Sequence, residues 1–470
     1  MRNGTFFPRL ALVNLVRGRR FYGPYLLTCG ALAAMYYVLR FLIWNDVVDS
    51  VYQAPYLRAM LGLGCGVVAA FSGVILLYAN GFVMKRRQRE LGLYQVLGLE
   101  KRHIAATLLW ETLLCAGVSL LGGLAAGVAL SRGLLALLLA LVRIPVDFPF
   151  SVSLRAMGES AGLMAVLFLL ALGVNLLAVG RSQPVELLQS VSAGQREPRT
   201  KKLLAAVGVL TLGAGYALAV TTQNPVDALA LFFLAVVLVM IGTYCLFTAG
   251  SVAVLKRLRA DRRFYYQTRH FTAVSGLLYR MKQNAVGLAN ICILSSMVLV
   301  TVSATLCLYL GIEDALAARI AEGILPAARQ AEMAQNYYLL YGGFLFVGMF
   351  LGLLFLLATV LIIYYKQLSE GYEDQRRYQI MQQVGMTGRE VRASIRSQIL
   401  LVFFLPLGAA ALHILLAFGM LCRILELFGL YNIALFALCT GGTLLVFCGI
   451  YALVFGLTAR TYERIVGEAA

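Results

Sequence analysis

A chain of 470 residues with 61% hydrophobic residues, 13% charged residues and a mean hydropathy of +0.82 falls outside the soluble globular class, whose charged share is roughly twice as large. The net charge of +18 would ordinarily suggest nucleic acid as a partner, but the basic residues lie between long apolar runs, which removes that partner and predicts an all-α polytopic membrane protein. The nine cysteines lie nearly all inside apolar runs and form no CxxC pair, so neither a disulfide framework nor a zinc site is indicated.

Taken in chain order, residues 5–18, TFFPRLALVNLVRG, interleave bulky apolar residues with arginine. They predict an amphipathic helix lying in the membrane interface, within an N-terminal segment 1–21. That segment holds five arginines and no long apolar region, so the first span is expected to act as an uncleaved signal. A span needs about 20 apolar residues, and ten stretches qualify: 22–43, 57–83, 105–130, 160–180, 203–222, 228–255, 286–311, 337–364, 397–420 and 432–458. An eleventh run, Leu134 to Val142, is too short to cross and is expected to lie along the outer surface or dip part way in.

With the N-terminus inside, only eight of the 40 Lys and Arg face outward: Arg40, Arg58, Arg132, Arg143, Arg155, Arg319, Arg329 and Arg423. That bias predicts both termini on the cytoplasmic side, with the basic face against anionic lipid. Counting Leu134 to Val142 as a span would destroy it. Gly62, Gly64, Gly66, Gly123 and Gly127, in spans two and three, allow close helix contact, within this chain or between copies.

Some chemistry has no residues to carry it. No GxxxxGK[ST] occurs, so ATP would have to be bound elsewhere and no cofactor is expected. His103, His270 and His413 lack a second metal-type ligand at useful spacing. His413 and Asn290 are polar groups inside spans, whose ordinary role is a hydrogen bond to a neighbouring helix. Glu111 and Glu426 sit near span ends, which argues against a carrier driven by mid-membrane carboxylates.

The stretch that does carry a pattern is Lys85 to Leu114, KRRQRELGLYQVLGLEKRHIAATLLWETLL. Sliding the chain on itself so that Gln88 falls on Gln375 also places Arg89 on Arg376, Gln95 on Gln382, Gly98 on Gly385, Arg102 on Arg389 and Leu114 on Leu401. This reads as a duplicated unit. In the first copy Leu91, Leu93, Tyr94, Leu97 and Leu99 are expected to form the apolar side of a short cytoplasmic helix, with Lys85, Arg86, Arg87, Arg89 and Glu90 wet. Gly98 is expected to break that helix before the next span. A helix joined rigidly to two spans can pass force from a docked protein into the membrane, and a plain amphipathic linker would show the same pattern.

These residues resemble the FtsX-like permease family. RELGLYQVLGLEKRHI is similar to its signature and QRRYQIMQQVGMTGREV to a more degenerate second copy; RSQPVELLQ at Arg181 to Gln189 and RMKQNAVGLANICILS at Arg280 to Ser295 also fit. Ten spans with two such units resemble the Bce-type permeases over almost the whole chain. The resemblance implies a non-enzymatic permease subunit of a mechanotransmission (type VII) ABC transporter in the bacterial plasma membrane. Its partner would be a separate MacB/LolD-like ATPase subunit acting as a dimer, and membrane lipid, a second permease and a membrane sensor kinase are further candidates.

The resemblance places ATPase coupling on Arg89, Glu90, Leu93, Tyr94, Val96, Leu97 and Gly98, on Arg376, Tyr378, Ile380, Met381, Gln383 and Val384, and more weakly on Pro184, Val185 and Glu186. It implies a first unit at 22–190, a linking pair of spans at 191–270 and a second unit at 271–470. Bce-type permeases carry a large extracellular domain where this chain has only the loop 313–335, which puts their antimicrobial-peptide resistance in question here. Export or extraction of an amphipathic peptide or lipid is the leading function. The alternative is a force relay that regulates a cell-wall enzyme or sensor kinase without transport.

Overall fold

A computed structural model describes residues 6–49, 53–144, 150–181, 202–261, 268–321, 330–383 and 388–467. The described residues are 93% helical, with no strand among them. The helices are α1 (Phe6–Arg17), α2 (Arg19–Ile43), α3 (Asp46–Asp49), α4 (Ala54–Val96), α5 (Lys101–Leu141), α6 (Leu154–Arg181), α7 (Lys202–Thr221), α8 (Pro225–Cys245), α9 (Ser251–Ala260), α10 (Thr268–Leu310), α11 (Ile312–Ala321), α12 (Gln330–Gln383), α13 (Gly388–Leu427) and α14 (Ile433–Gly467). A π-turn, Leu246–Gly250, joins α8 to α9. Ten helical segments are long and apolar enough to cross a bilayer, and each corresponds to one of the ten stretches expected from sequence.

The run Leu134 to Val142 is not a separate element. It continues α5, which extends unbroken from Lys101 to Leu141 and is therefore about 60 Å long, twice the hydrocarbon thickness. No proline interrupts this stretch, and Leu135, Leu138 and Leu139 are buried, so packing carries the helix past the length needed to span.

The chain divides into two compact units, residues 1–194 with 335–354, and residues 195–334 with 355–470. In the first unit α2 is the central helix and is packed by α4, α5 and α6. Its approach to α5 is backbone to backbone: a Cβ on Gly123 would strike the Gly30 carbonyl and the Ala33 Cβ, and one on Gly127 would lie 2.8 Å from the Tyr37 ring. Gly64 meets Val347 in the same way, whereas Gly62 and Gly66 face open space. Small residues let dispersion act over a long seam, which matters because lipid tails remove the usual hydrophobic advantage of burying leucine. At the far end of α2, Arg40 pairs with Glu159, which also accepts from Trp44 Nε1 at 3.1 Å. The end of α5 is held by Gln335, whose Nε2 donates to the Val142 carbonyl, and by Arg143, which stacks 3.8 Å from the Tyr338 ring centre.

In the second unit α7 and α8 form a tight hairpin. Asn224 caps α8 by accepting from the Val226 N–H, and Gly208, Gly215 and Gly242 each sit against the opposing helix with no room for a Cβ. Helices α10, α13 and α14 pack beside one another. Pro406 lies inside α13, and the Phe403 carbonyl three residues before it accepts from Tyr451 Oη at 2.6 Å.

Gly123→Val is expected to destabilise the detergent-solubilised protein by at least about 2 kcal/mol through overpacking, with Gly122→Ala, which meets no atom within 4 Å, unchanged. Equal thermal midpoints for Gly123→Val and the parent would refute the close α2–α5 contact.

Candidate coupling site

The first repeat lies at the end of α4 and the start of α5. The expected short helix is not separate: α4 runs 43 residues from Ala54 through Val96. Gly98 ends it in the left-handed region at φ +94°. The Gly98 N–H donates to the Gln95 carbonyl at 3.1 Å and the Leu99 N–H to the Tyr94 carbonyl at 2.9 Å, the paired bonds of a Schellman cap. Glu100 then starts α5, its carbonyl accepting from the His103 and Ile104 N–H groups. Two long helices are thus joined by a short turn held by these backbone bonds.

The apolar residues of this tip divide between two environments. Leu91 is buried with Ile104, Leu108, Leu172 and Val179, and Tyr94 packs against that cluster. Leu93, Val96 and Leu97 point away from it and are 50%, 61% and 71% exposed, with Glu90 also exposed beside them. The outward face is therefore apolar with a charged edge, and the inward face fixes it to α5 and α6. Lys101 adds a tie, donating from Nζ to the Gly180 carbonyl at 2.8 Å.

The expectation that Arg87 is wet is wrong. Its side chain is 7% exposed and pairs with Glu111, whose side chain is 5% exposed. Arg87 also donates to Tyr22 Oη at 3.1 Å and from Nε to Glu90 at 3.3 Å, while Asn14 Nδ2 donates to the other Glu111 oxygen at 2.9 Å. Two turns further along α4, Asn80 and Asn175 exchange two amide hydrogen bonds of 2.7 and 3.0 Å. This polar cluster links α1, α2, α4 and α5, and α1 is held further by Phe7 stacking on His103 and by fully buried Ala11. Two buried charges are sustained only with each other and with extra hydrogen bonds, so the cluster fixes the register of α4 against α5 next to the tip. The signal in the sequence was Glu111 itself, an acid within an apolar span that requires a partner.

The backbone of Arg89 lies in α4, and that of Arg376, Tyr378, Ile380, Met381 and Gln383 in α12, with Gln383 exposed at its end. The side chains of the other five, and Val384, Pro184, Val185 and Glu186 entirely, fall outside the described residues. The second repeat has helices on either side of 384–387, as the first has on either side of 97–100. In the register that matches Gln88 to Gln375, Arg87 and Glu111 correspond to Asp374 and Gln398, so the arginine–glutamate pair belongs to the first repeat alone.

The segment that contains this capped turn, residues 63–184, matches the FtsX-like permease C-terminal family. Among curated relatives, the chain is 24% identical over 278 residues to the uncharacterized ABC transporter permease YvcS of Bacillus subtilis (59% of this chain, 43% of that protein). It is 26% identical over 303 residues to the bacitracin export permease protein BceB of Bacillus subtilis (62% and 46%), and 26% identical over 300 residues to BceB of Halalkalibacterium halodurans (61% and 46%). The matched part spans under half the length of these relatives, and the likeness to ABC permeases covers about 60% of this chain rather than almost all of it.

Glu111→Ala and Arg87→Ala are each expected to destabilise the protein by about 3–5 kcal/mol, because each leaves a buried charge alone. The double change Arg87→Met with Glu111→Leu should recover most of that loss. Denaturation of the purified protein in detergent measures it, and single variants as stable as the parent would overturn the buried pair.

Proposed function

We propose that this chain is the permease subunit of an ABC-type transporter of the mechanotransmission (type VII) class, set in a bacterial plasma membrane with both termini cytoplasmic. A separate ATPase dimer docks on the α4–α5 tip, on the corresponding tip between α12 and α13, and against the segment containing Pro184, Val185 and Glu186. The observation that carries this reading is the capped turn with Leu93, Val96 and Leu97 outward, inside the segment that matches the FtsX-like permease family. Three exposed apolar side chains on a rigid tip provide contact area for a partner protein at little cost in ordering.

The coupling follows from mechanics. ATP-driven closure of the partner displaces the tip, and because the turn carries the paired Schellman bonds and Arg87 fixes α4 to α5, both helices move together instead of the turn deforming. The displacement reaches the membrane-spanning parts of the same helices and expels an amphipathic substrate. Bacitracin or a similar amphipathic compound, suggested by the relatives named as bacitracin export permeases, stands beside lipid as the substrate class we propose. Export remains compatible with the short α11 at the loop where a larger domain would sit, provided the substrate is bound by the spans.

Leu93→Asp together with Leu97→Asp is expected to reduce co-purification of an ATPase subunit at least tenfold while the permease itself is recovered in normal yield, because both side chains are exposed and neither bonds Arg87. Affinity purification of the tagged chain in mild detergent, with an ATPase assay on the complex, reads the result. An undiminished ATPase in the double variant would overturn the docking assignment.

A further inference from the structure

The second unit encloses a cavity of about 250 Å³ between α7, α8, α10 and α13, away from the coupling tip. All four walls belong to candidate membrane spans, so the cavity lies at the depth of the bilayer hydrocarbon. Its surface is almost wholly apolar, with Phe232, Val236, Met297, Val300 and Met420 contributing, and Phe233, 70% exposed, stands where it meets the outside. An apolar cavity of roughly 150 Å³ is already large enough to take up an aromatic molecule and stays free of water.

Four of the five polar side chains in the lining have their hydrogens directed elsewhere. Thr243 donates to the Val239 carbonyl at 2.6 Å and Ser296 to the Cys292 carbonyl at 2.9 Å. Since Thr243 has given its only hydrogen, its 3.1 Å contact with His413 Nε2 requires the imidazole to donate there. Nδ1 then accepts from Tyr216 Oη at 2.6 Å. The histidine is thus a neutral strut between α7, α8 and α13, and these groups offer no donor to a ligand. A polar ligand would lose its hydration without replacement.

The shape narrows the choice further. Lining residues extend along α8 from Phe232 to Thr243, about 16 Å at the helical rise, and along α10 from Ile293 to Thr301, about 12 Å. The slot is parallel to the spans and about as long as one leaflet of a hydrocarbon core roughly 30 Å thick is deep. We propose that this cavity is a binding site for one acyl chain of a bilayer phospholipid, recognised by its hydrocarbon and not by its headgroup. The chain fills space that would otherwise leave the lining without contact partners, and so holds the α7–α8 hairpin against α10 and α13. The site is independent of any docked ATPase.

The test uses the full chain in liposomes of phosphatidylethanolamine and phosphatidylglycerol, doped with a phospholipid bearing a diazirine on one acyl chain, followed by illumination and mass-spectrometric mapping. The expected result is labelling of the cavity wall at Met297 and Val300, equal for phosphocholine and phosphoglycerol headgroups. Ala417→Phe should lower that labelling at least fivefold and leave labelling of exposed Leu234 and Val237 unchanged. Ser296→Leu, which fills the cavity from the opposite wall, should do the same, and if neither variant folds the parent's labelling pattern decides alone. Labelling confined to Leu234, Val237 and other outward residues, wall labelling that survives both fillings, or wall labelling with only one headgroup would each overturn the proposal.

Discussion

Inside a bilayer no water is available to peptide N–H and C=O groups, so every backbone group in the hydrocarbon must find its partner within the protein. This constraint underlies the rest of the structure: the chain meets it with long helices, and at several interruptions a partner is explicit. Gly98 closes α4 with two cap bonds, Asn224 opens α8 with a side-chain acceptor, and Tyr451 bonds the Phe403 carbonyl three residues before Pro406. Because lipid tails are as apolar as leucine, the helices then associate through close backbone approach, as at Gly123 and Gly127, and through a few polar contacts.

The polar contacts are concentrated. In the first unit Arg87 and Glu111 lie beside the tip, joined by Asn14 and Tyr22 from the two preceding helices. A buried ion pair contributes little net stability, since desolvation of both charges offsets their attraction, but it strongly disfavours any sliding of α4 along α5 that would separate the charges. The register of α4 against α5 is thereby kept near the Gly98 turn. The corresponding positions of the second repeat are Asp374 and Gln398, so that device was either lost from one copy or gained by the other, and the two tips are chemically unequal.

In the second unit the same economy of polar groups has the opposite consequence. Tyr216, Thr243 and His413 bond one another across three helices, and Ser296 bonds its own helix, so the side chains that could have made a polar site are consumed in packing. What they leave between them is a hydrocarbon-lined space. A histidine in a span is commonly read as a proton carrier or ligand; here it acts as a crossbrace.

The sequence by itself determined the helical class, the ten apolar stretches and the turn at Gly98, because these rest on local quantities: run length, hydropathy and a glycine placed where a helix must turn. It also marked Leu93, Val96 and Leu97, but could not separate them from Leu91 and Tyr94, since which side of a helix faces a neighbour depends on where that neighbour packs. Arg87 was misread for the same reason. Four nearby basic residues resemble a wet cluster until α2 and α5 arrive to bury one of them against Glu111, an acid 24 positions away. The extension of α5 through Leu141 and the apolar slot beside His413 were decided by tertiary packing, because burial and cavity shape arise from several helices at once and leave no period in any one of them.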